Sequence, residues 1–171
     1  MDSLIPTHQP APVFSLPALD GAIHRLEDGR GRILVLNFWS AECPWVERTD
    51  REVLKYLPGW GERVLLWAIA SNSNEPLELL ERAASQHGLP LALHDAHHAV
   101  ADLYHAQTTP HFFVIDAHGL LRYQGAPDDV TFRQREPSRF YLRQAVEALL
   151  AGGLPEPAET RAYGCSIVRH L

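Results

Sequence analysis

An almost unbroken apolar stretch, Ile33-Leu34-Val35-Leu36-Asn37-Phe38-Trp39, constrains this chain more than any other feature. It has the length of a strand, and its side chains are apolar on both alternating faces. That is the pattern of a central strand covered by other elements on both sides. Four residues later comes Cys43-Pro44, and proline is favoured at the first position of a helix. Val46, Val53, Leu54 and Leu57 follow at helical spacing, and Pro58-Gly59 reads as the end of that helix. A second buried strand, Val64-Leu65-Leu66-Trp67-Ala68-Ile69-Ala70, comes next.

Other segments complete the pattern. Phe14-Ser15-Leu16 and Ile23-His24-Arg25-Leu26 flank Asp20-Gly21, a strong hairpin signal. Asn74 reads as the cap of a helix running to His87, with Gly88 as its stop. Leu91-Ala92-Leu93 has the character of a short strand, and residues 98–105 of a short helix. Phe112 to Asp116 and Leu120 to Tyr123 flank a His118-Gly119 turn, predicting a second hairpin. A helix is expected from Ser138 to Ala151. The first 11 residues read as an extended arm, and residues 152–171 as a tail. Strands alternating with helices predict an α/β fold, a mixed sheet with helices on both faces. At 171 residues the chain fits one domain spanning residues 1–171.

Composition excludes several roles. A net charge of −6, with no basic cluster, argues against a nucleic-acid or anionic-membrane binder. No segment approaches the length of a membrane span. The start, Met1 to Pro6, lacks the basic and apolar character of a secretory signal, so a cytoplasmic address is expected. Two cysteines are too few for a disulfide framework, and in a reducing compartment each is redox-active, catalytic or simply buried.

Cys43 has a physical reason to be reactive, because the N–H groups and partial positive charge of a helix N-terminus favour a thiolate. A thiolate is the species that attacks disulfides and peroxides. Position alone is equally consistent with a small buried hydrophobe. Phe38-Trp39-Ser40-Ala41-Glu42-Cys43-Pro44-Trp45-Val46 resembles the active-site segment of the thioredoxin superfamily, and Thr109-Pro110 before Phe112 to Asp116 resembles its cis-proline loop. Together with Tyr123-Gln124-Gly125, Asp128-Asp129 and the terminal Gly164-Cys165-Ser166-Ile167, these segments look most like the redoxin branch of alkyl hydroperoxide reductases and thiol-specific antioxidants (AhpC/TSA). The resemblance implies a thioredoxin-like fold with an N-terminal β-hairpin and a nucleophilic Cys43. It also implies a site wall of Thr109 and cis-Pro110, and a tail cysteine with a role in redox chemistry.

The departures are as informative. Val46 stands where Cys-x-x-Cys carries its second cysteine, so the usual dithiol cycle is unavailable at this turn. Resolution must come from an external thiol or from Cys165, unless the mechanism uses one cysteine. Ser40 occupies the place of the peroxide-contacting threonine of peroxiredoxins, but Leu36 replaces the proline of their motif. A Glu42 carboxylate beside a thiolate would oppose its ionisation, or lie in solvent as a loop side chain. Trp45 would cover the sulfur or form a docking surface. The His94-Asp95-Ala96-His97-His98 cluster would bring His94 and His98 onto one face if it were helical, yet it lacks a metal motif. A site joining a cysteine to His111 is weaker still. No metal or cofactor is expected.

The leading expectation is a thiol oxidoreductase whose partners are protein or small-molecule thiols, disulfides or peroxides. A non-catalytic binding module of the same fold, and a metal-binding redox chaperone, are the alternatives.

Overall fold

The computed structural model describes residues 4–170; the first three residues of the expected arm and the last residue of the tail lie outside it. The two apolar runs form adjacent parallel strands, β3 (Ile33–Trp39) and β4 (Val64–Ala70). They are joined through helix α1 (Pro44–Trp60). Strands β1 (Ser15–Pro17) and β2 (Ile23–Arg25) make the antiparallel N-terminal hairpin. After β4 come α2 (Leu77–His87), β5 (Ala92–His94), α3 (Ala99–Leu103), β6 (Thr108–Thr109), β7 (His111–Ile115), β8 (Leu121–Gly125), α4 (Tyr141–Leu150) and β9 (Cys165–Ser166). The central five-stranded sheet has the order β5-β4-β3-β7-β8, with β7 and β8 antiparallel to the strands they join. This is a thioredoxin-like arrangement.

Strand alternation divides the core. Leu34, Leu36 and Phe38 of β3 face one side, where they pack with Leu16, Tyr104 and Phe113 beneath the hairpin and α3. Ile33 and Val35 face the other, against Val53 of α1 and Leu142 and Val146 of α4. Trp39 and Val46 continue that second face toward Leu80 and Ala83 of α2. Burying each of these large side chains stabilises the fold by about 1.5–3 kcal/mol. The sheet ends of β3 and β4 therefore fix the position of the turn at residues 40–43.

Several boundaries differ from the sequence expectation. Pro58-Gly59 does not end α1: the helix runs to Trp60 and closes at Gly61, whose N–H bonds the Leu57 carbonyl. Pro58 forgoes one helical hydrogen bond, while Trp60 is buried and stacks with Tyr56, holding the extra turn in place. Asn74 does not cap α2, which starts at Leu77 after Pro76. A residue before proline is driven out of helical conformation, so Glu75 cannot join the helix. Helix α4 begins at Tyr141 rather than Ser138, because the Asp129 carboxylate accepts hydrogen bonds from the Ser138 and Arg139 amides and the Ser138 hydroxyl. The segment expected as an extended arm turns and lies along β8. His8 N–H donates to the Leu121 carbonyl, Leu121 N–H to Gln9, and Ile5 is buried.

The tail also has fixed partners. The Gln124 amide donates to Ala158 and the Thr160 amide to Gln124, so residues 158–160 follow the edge of β8. Gly125 admits this approach; a side chain there would meet Thr160 Oγ1 at 2.2 Å. The chain then crosses to β6, where Cys165 lies opposite Thr109 and Ser166 opposite Thr108.

Candidate active site

Cys43 is the N-cap of α1, with extended backbone angles (φ −92°, ψ 120°) and Pro44 directly after it. Its carbonyl accepts the amides of Val46 and Glu47, closing the first turn. The buried strand β3 places the residue at the sheet end, where the partial positive charge of the helix N-terminus favours a thiolate. Cys43 is 4% exposed. Its thiol donates to the Thr109 carbonyl at 3.3 Å, and its sulfur stands 2.6 Å from that of Cys165. Both are free cysteines. The two sulfurs, 122 positions apart in sequence, thus meet at one point.

Thr109 and Pro110, joined by a cis peptide bond, form the opposite wall. Thr109 is buried, and its hydroxyl has no hydrogen-bond partner among the described residues. Trp45 is half-buried and stands edge-on to Tyr163 of the tail, with ring centres 5.0 Å apart, and 6.0 Å from Phe132. It packs against the incoming tail and against the apolar cluster that contains Cys43. Glu42 is exposed. Val46 is fully buried and packs with Trp39, Leu80 and Cys43.

Glu75, unmarked by any local sequence signal, is the main polar component that the sequence did not reveal. Its buried carboxylate accepts the Ser40 hydroxyl at 2.5 Å and the Ala41 amide at 3.0 Å, and Ser40 Oγ in turn accepts the Glu42 amide at 3.3 Å. This network holds the turn from the α2 side. The Cys165 thiol is pushed up from an ordinary value of 9.0 to about 12. Burial is the largest cause, followed by the hydrogen bond and charge of Cys43 and then the charge of Glu75. Cys165 therefore holds its proton more tightly than an ordinary thiol does.

A second buried network braces the first turns of α1. Asp50 Oδ2 accepts Trp39 Nε1 at 2.7 Å and pairs with His87 Nδ1 at 2.6 Å. Burial raises the Asp50 pKa against these two hydrogen bonds. Arg48 makes a paired contact with Asp128 at 3.0 Å, tying α1 to the segment after β8.

The histidines do not join the sulfurs. His94 lies in β5 and His98 caps α3, so the expected helical face shared by the two does not form. His98 Nδ1 faces Asp102 at 3.2 Å. Among the described residues no group of three or more His, Cys, Asp or Glu side chains could hold a metal ion. His111 is buried, stacks on Phe113 and accepts the Gln107 amide at Nδ1.

Burial lowers the His111 pKa from 6.5 to about 4. The folded chain then binds fewer protons than the unfolded chain between these values. Stability is complete above pH 6.5 and falls as pH drops toward 4, by about 3 kcal/mol for this group. His111→Gln, which keeps an acceptor for Gln107, should flatten that part of the slope. Urea midpoints measured from about pH 4 to 7 test it; equal slopes in both proteins would contradict the assignment.

Known proteins share this fold. The AhpC/TSA family matches residues 7–124, so the segment carrying Cys165 lies beyond the matched region. The thiol-disulfide oxidoreductase ResA of Geobacillus thermodenitrificans is 32% identical over 114 residues, covering 66% of this chain. The chain spans 64% of the length of that relative. The solved structure of an uncharacterized conserved protein from Geobacillus kaustophilus superposes with a TM-score of 0.88 at 29% identity, covering 97% of this chain and 93% of that one. A hypothetical protein from Sinorhizobium meliloti 1021 gives 0.86 at 29% identity, covering 96% of this chain and 95% of that one.

Proposed function

Because the chain belongs to the AhpC/TSA family, within the redoxin branch of the thioredoxin superfamily, we propose that it is a thiol oxidoreductase in which Cys43 and Cys165 act as one redox pair. The observation that carries this reading is the meeting of the two sulfurs at the N-terminus of α1. The Cys43 thiolate attacks one sulfur of a substrate disulfide, forming a mixed disulfide and expelling one substrate thiolate. That step consumes the Cys43 charge, which is one of the causes holding up the Cys165 pKa. Cys165 then gives up its proton to the expelled substrate thiolate and attacks the Cys43 sulfur. The second substrate thiolate leaves, and the internal disulfide forms. The substrate gains two electrons, the protein loses two, and an external dithiol restores both cysteines. The cytoplasm, the expected location, would supply such a donor.

A disulfide is favoured over a peroxide as oxidant. Ser40, the counterpart of the peroxide-contacting threonine, has its hydroxyl committed to Glu75. The substrate class therefore comprises protein or small-molecule disulfides. No helix of the described residues is long and apolar enough to cross a membrane.

Reduced protein presented separately with glutathione disulfide and with hydrogen peroxide tests this reading. Both protein thiols should be lost together with the disulfide, releasing two glutathione thiols per protein, and more slowly with peroxide. Retention of both thiols under both oxidants would end the proposal.

A further inference from the structure

Residues 164–169 lie in a trough built from two loops. On one side, Thr108–Thr109 pairs with Cys165–Ser166 as a strand, and the Ile167 amide donates to the Gln107 carbonyl at 3.2 Å. On the other, the Ser73 amide donates to the Val168 carbonyl at 2.7 Å, while the Val168 amide donates to Asn72 Oδ1 at 2.8 Å. These contacts engage the main chain of the occupant, so they are indifferent to its sequence. The side chains supply the selection. Tyr163 stands against Trp45. A side chain at Gly164 would meet the Thr109 carbonyl oxygen at 2.2 Å, a main-chain atom that cannot swing aside. Cys165 faces Cys43, Ser166 is exposed, and Ile167 is buried in the core cluster beside Leu16 and Tyr104.

We propose that this trough is a strand-docking site whose resident occupant is the chain's own tail, and that the tail is displaced by an extended substrate segment reading glycine, cysteine, any residue, then an apolar residue. This rests on the redox reading above, in which Cys43 attacks the docked sulfur. With Cys43 at 4% exposure beneath Cys165, the tail must lift before an external sulfur can reach it. Arg169 anchors the end of the tail, bound to Asp102 at 2.7 Å and to the Ala106 carbonyl at 2.6 Å.

The test uses the full chain with Cys165→Ser, so that Cys43 reacts alone. The probe is a blocked peptide with the sequence of residues 163–168, its cysteine joined in a disulfide to a chromogenic aryl thiol. Cys43 thiolate attacks the peptide sulfur, forming the Cys43–peptide disulfide and releasing the aryl thiolate, whose colour reports the rate. Valine in place of the peptide glycine, or aspartate in place of its isoleucine, should each slow the reaction by about tenfold or more. Adding Arg169→Ala to the protein should speed the matched peptide by loosening its competitor. Equal rates for all three peptides, or no acceleration by Arg169→Ala, would overturn the docking site while leaving Cys43 as a nucleophile. Failure to react even with the small symmetrical aryl disulfide would overturn the nucleophile assignment and this inference with it.

Discussion

Cys43→Ser should abolish thiol exchange, whereas Cys165→Ser should arrest the protein after its first half-reaction. A serine hydroxyl at the N-cap of α1 cannot ionise near neutral pH or accept sulfur, so the loss should be on the order of a thousandfold or more. Serine is an accepted N-cap residue, so this substitution should leave α1 folded. The second variant keeps the nucleophile but removes the sulfur that stands 2.6 Å away. A mixed disulfide at Cys43 then waits for an external thiol. Losing that intramolecular partner should slow turnover by at least about a hundredfold. Intact mass spectrometry should show one substrate half retained on Cys165→Ser and none on Cys43→Ser. Full turnover by Cys165→Ser would show that the tail cysteine has no part in the cycle.

The second large effect is expected from the smallest available change, Gly164→Ala. The added carbon would lie 2.2 Å from the Thr109 carbonyl oxygen and 2.8 Å from its carbon. Both are main-chain atoms, so the tail has to move. Moving it breaks the pairing of β6 with β9 and exposes Ile167, at a cost of about 2 kcal/mol. It also uncovers Cys43. The variant should lose several degrees of melting temperature, and its Cys43 should be alkylated about a hundredfold faster than in the parent. Gly59→Ala is a useful contrast, since a side chain at that helical position meets nothing within 4 Å and should stabilise the protein slightly. If Gly164→Ala melts and alkylates like the parent, the tail is not packed against the cis-proline loop as described.

Much of the fold was legible because its signals are local. The continuous apolar runs that became β3 and β4, and Pro44 at the start of α1, need no distant partner to be read. Asp20-Gly21 likewise marked the first hairpin. The errors arose where long-range contacts override local preference. Pro58 stays within α1 because Trp60 is buried, and α4 starts late because the Asp129 carboxylate holds the Ser138 and Arg139 amides. The candidate site divides in the same way. Cys43 and Thr109-Pro110 carry recognisable motifs. Glu75 carries none, since its role depends on a contact 35 positions away. The tail was recognisable at Gly164-Cys165, but nothing in the sequence shows where it folds; that follows from its pairing with Thr108–Thr109.

The pairing of Cys43 with Cys165 is tested most directly by peptide mapping under non-reducing conditions, after the reduced protein has been oxidised with a small disulfide and its remaining thiols blocked. The structure predicts a fragment in which the Cys43 peptide is joined to the Cys165 peptide, in a protein that remains a single chain by mass. Cys43 bearing only an oxidant adduct, with Cys165 recovered as a blocked free thiol, would contradict the account.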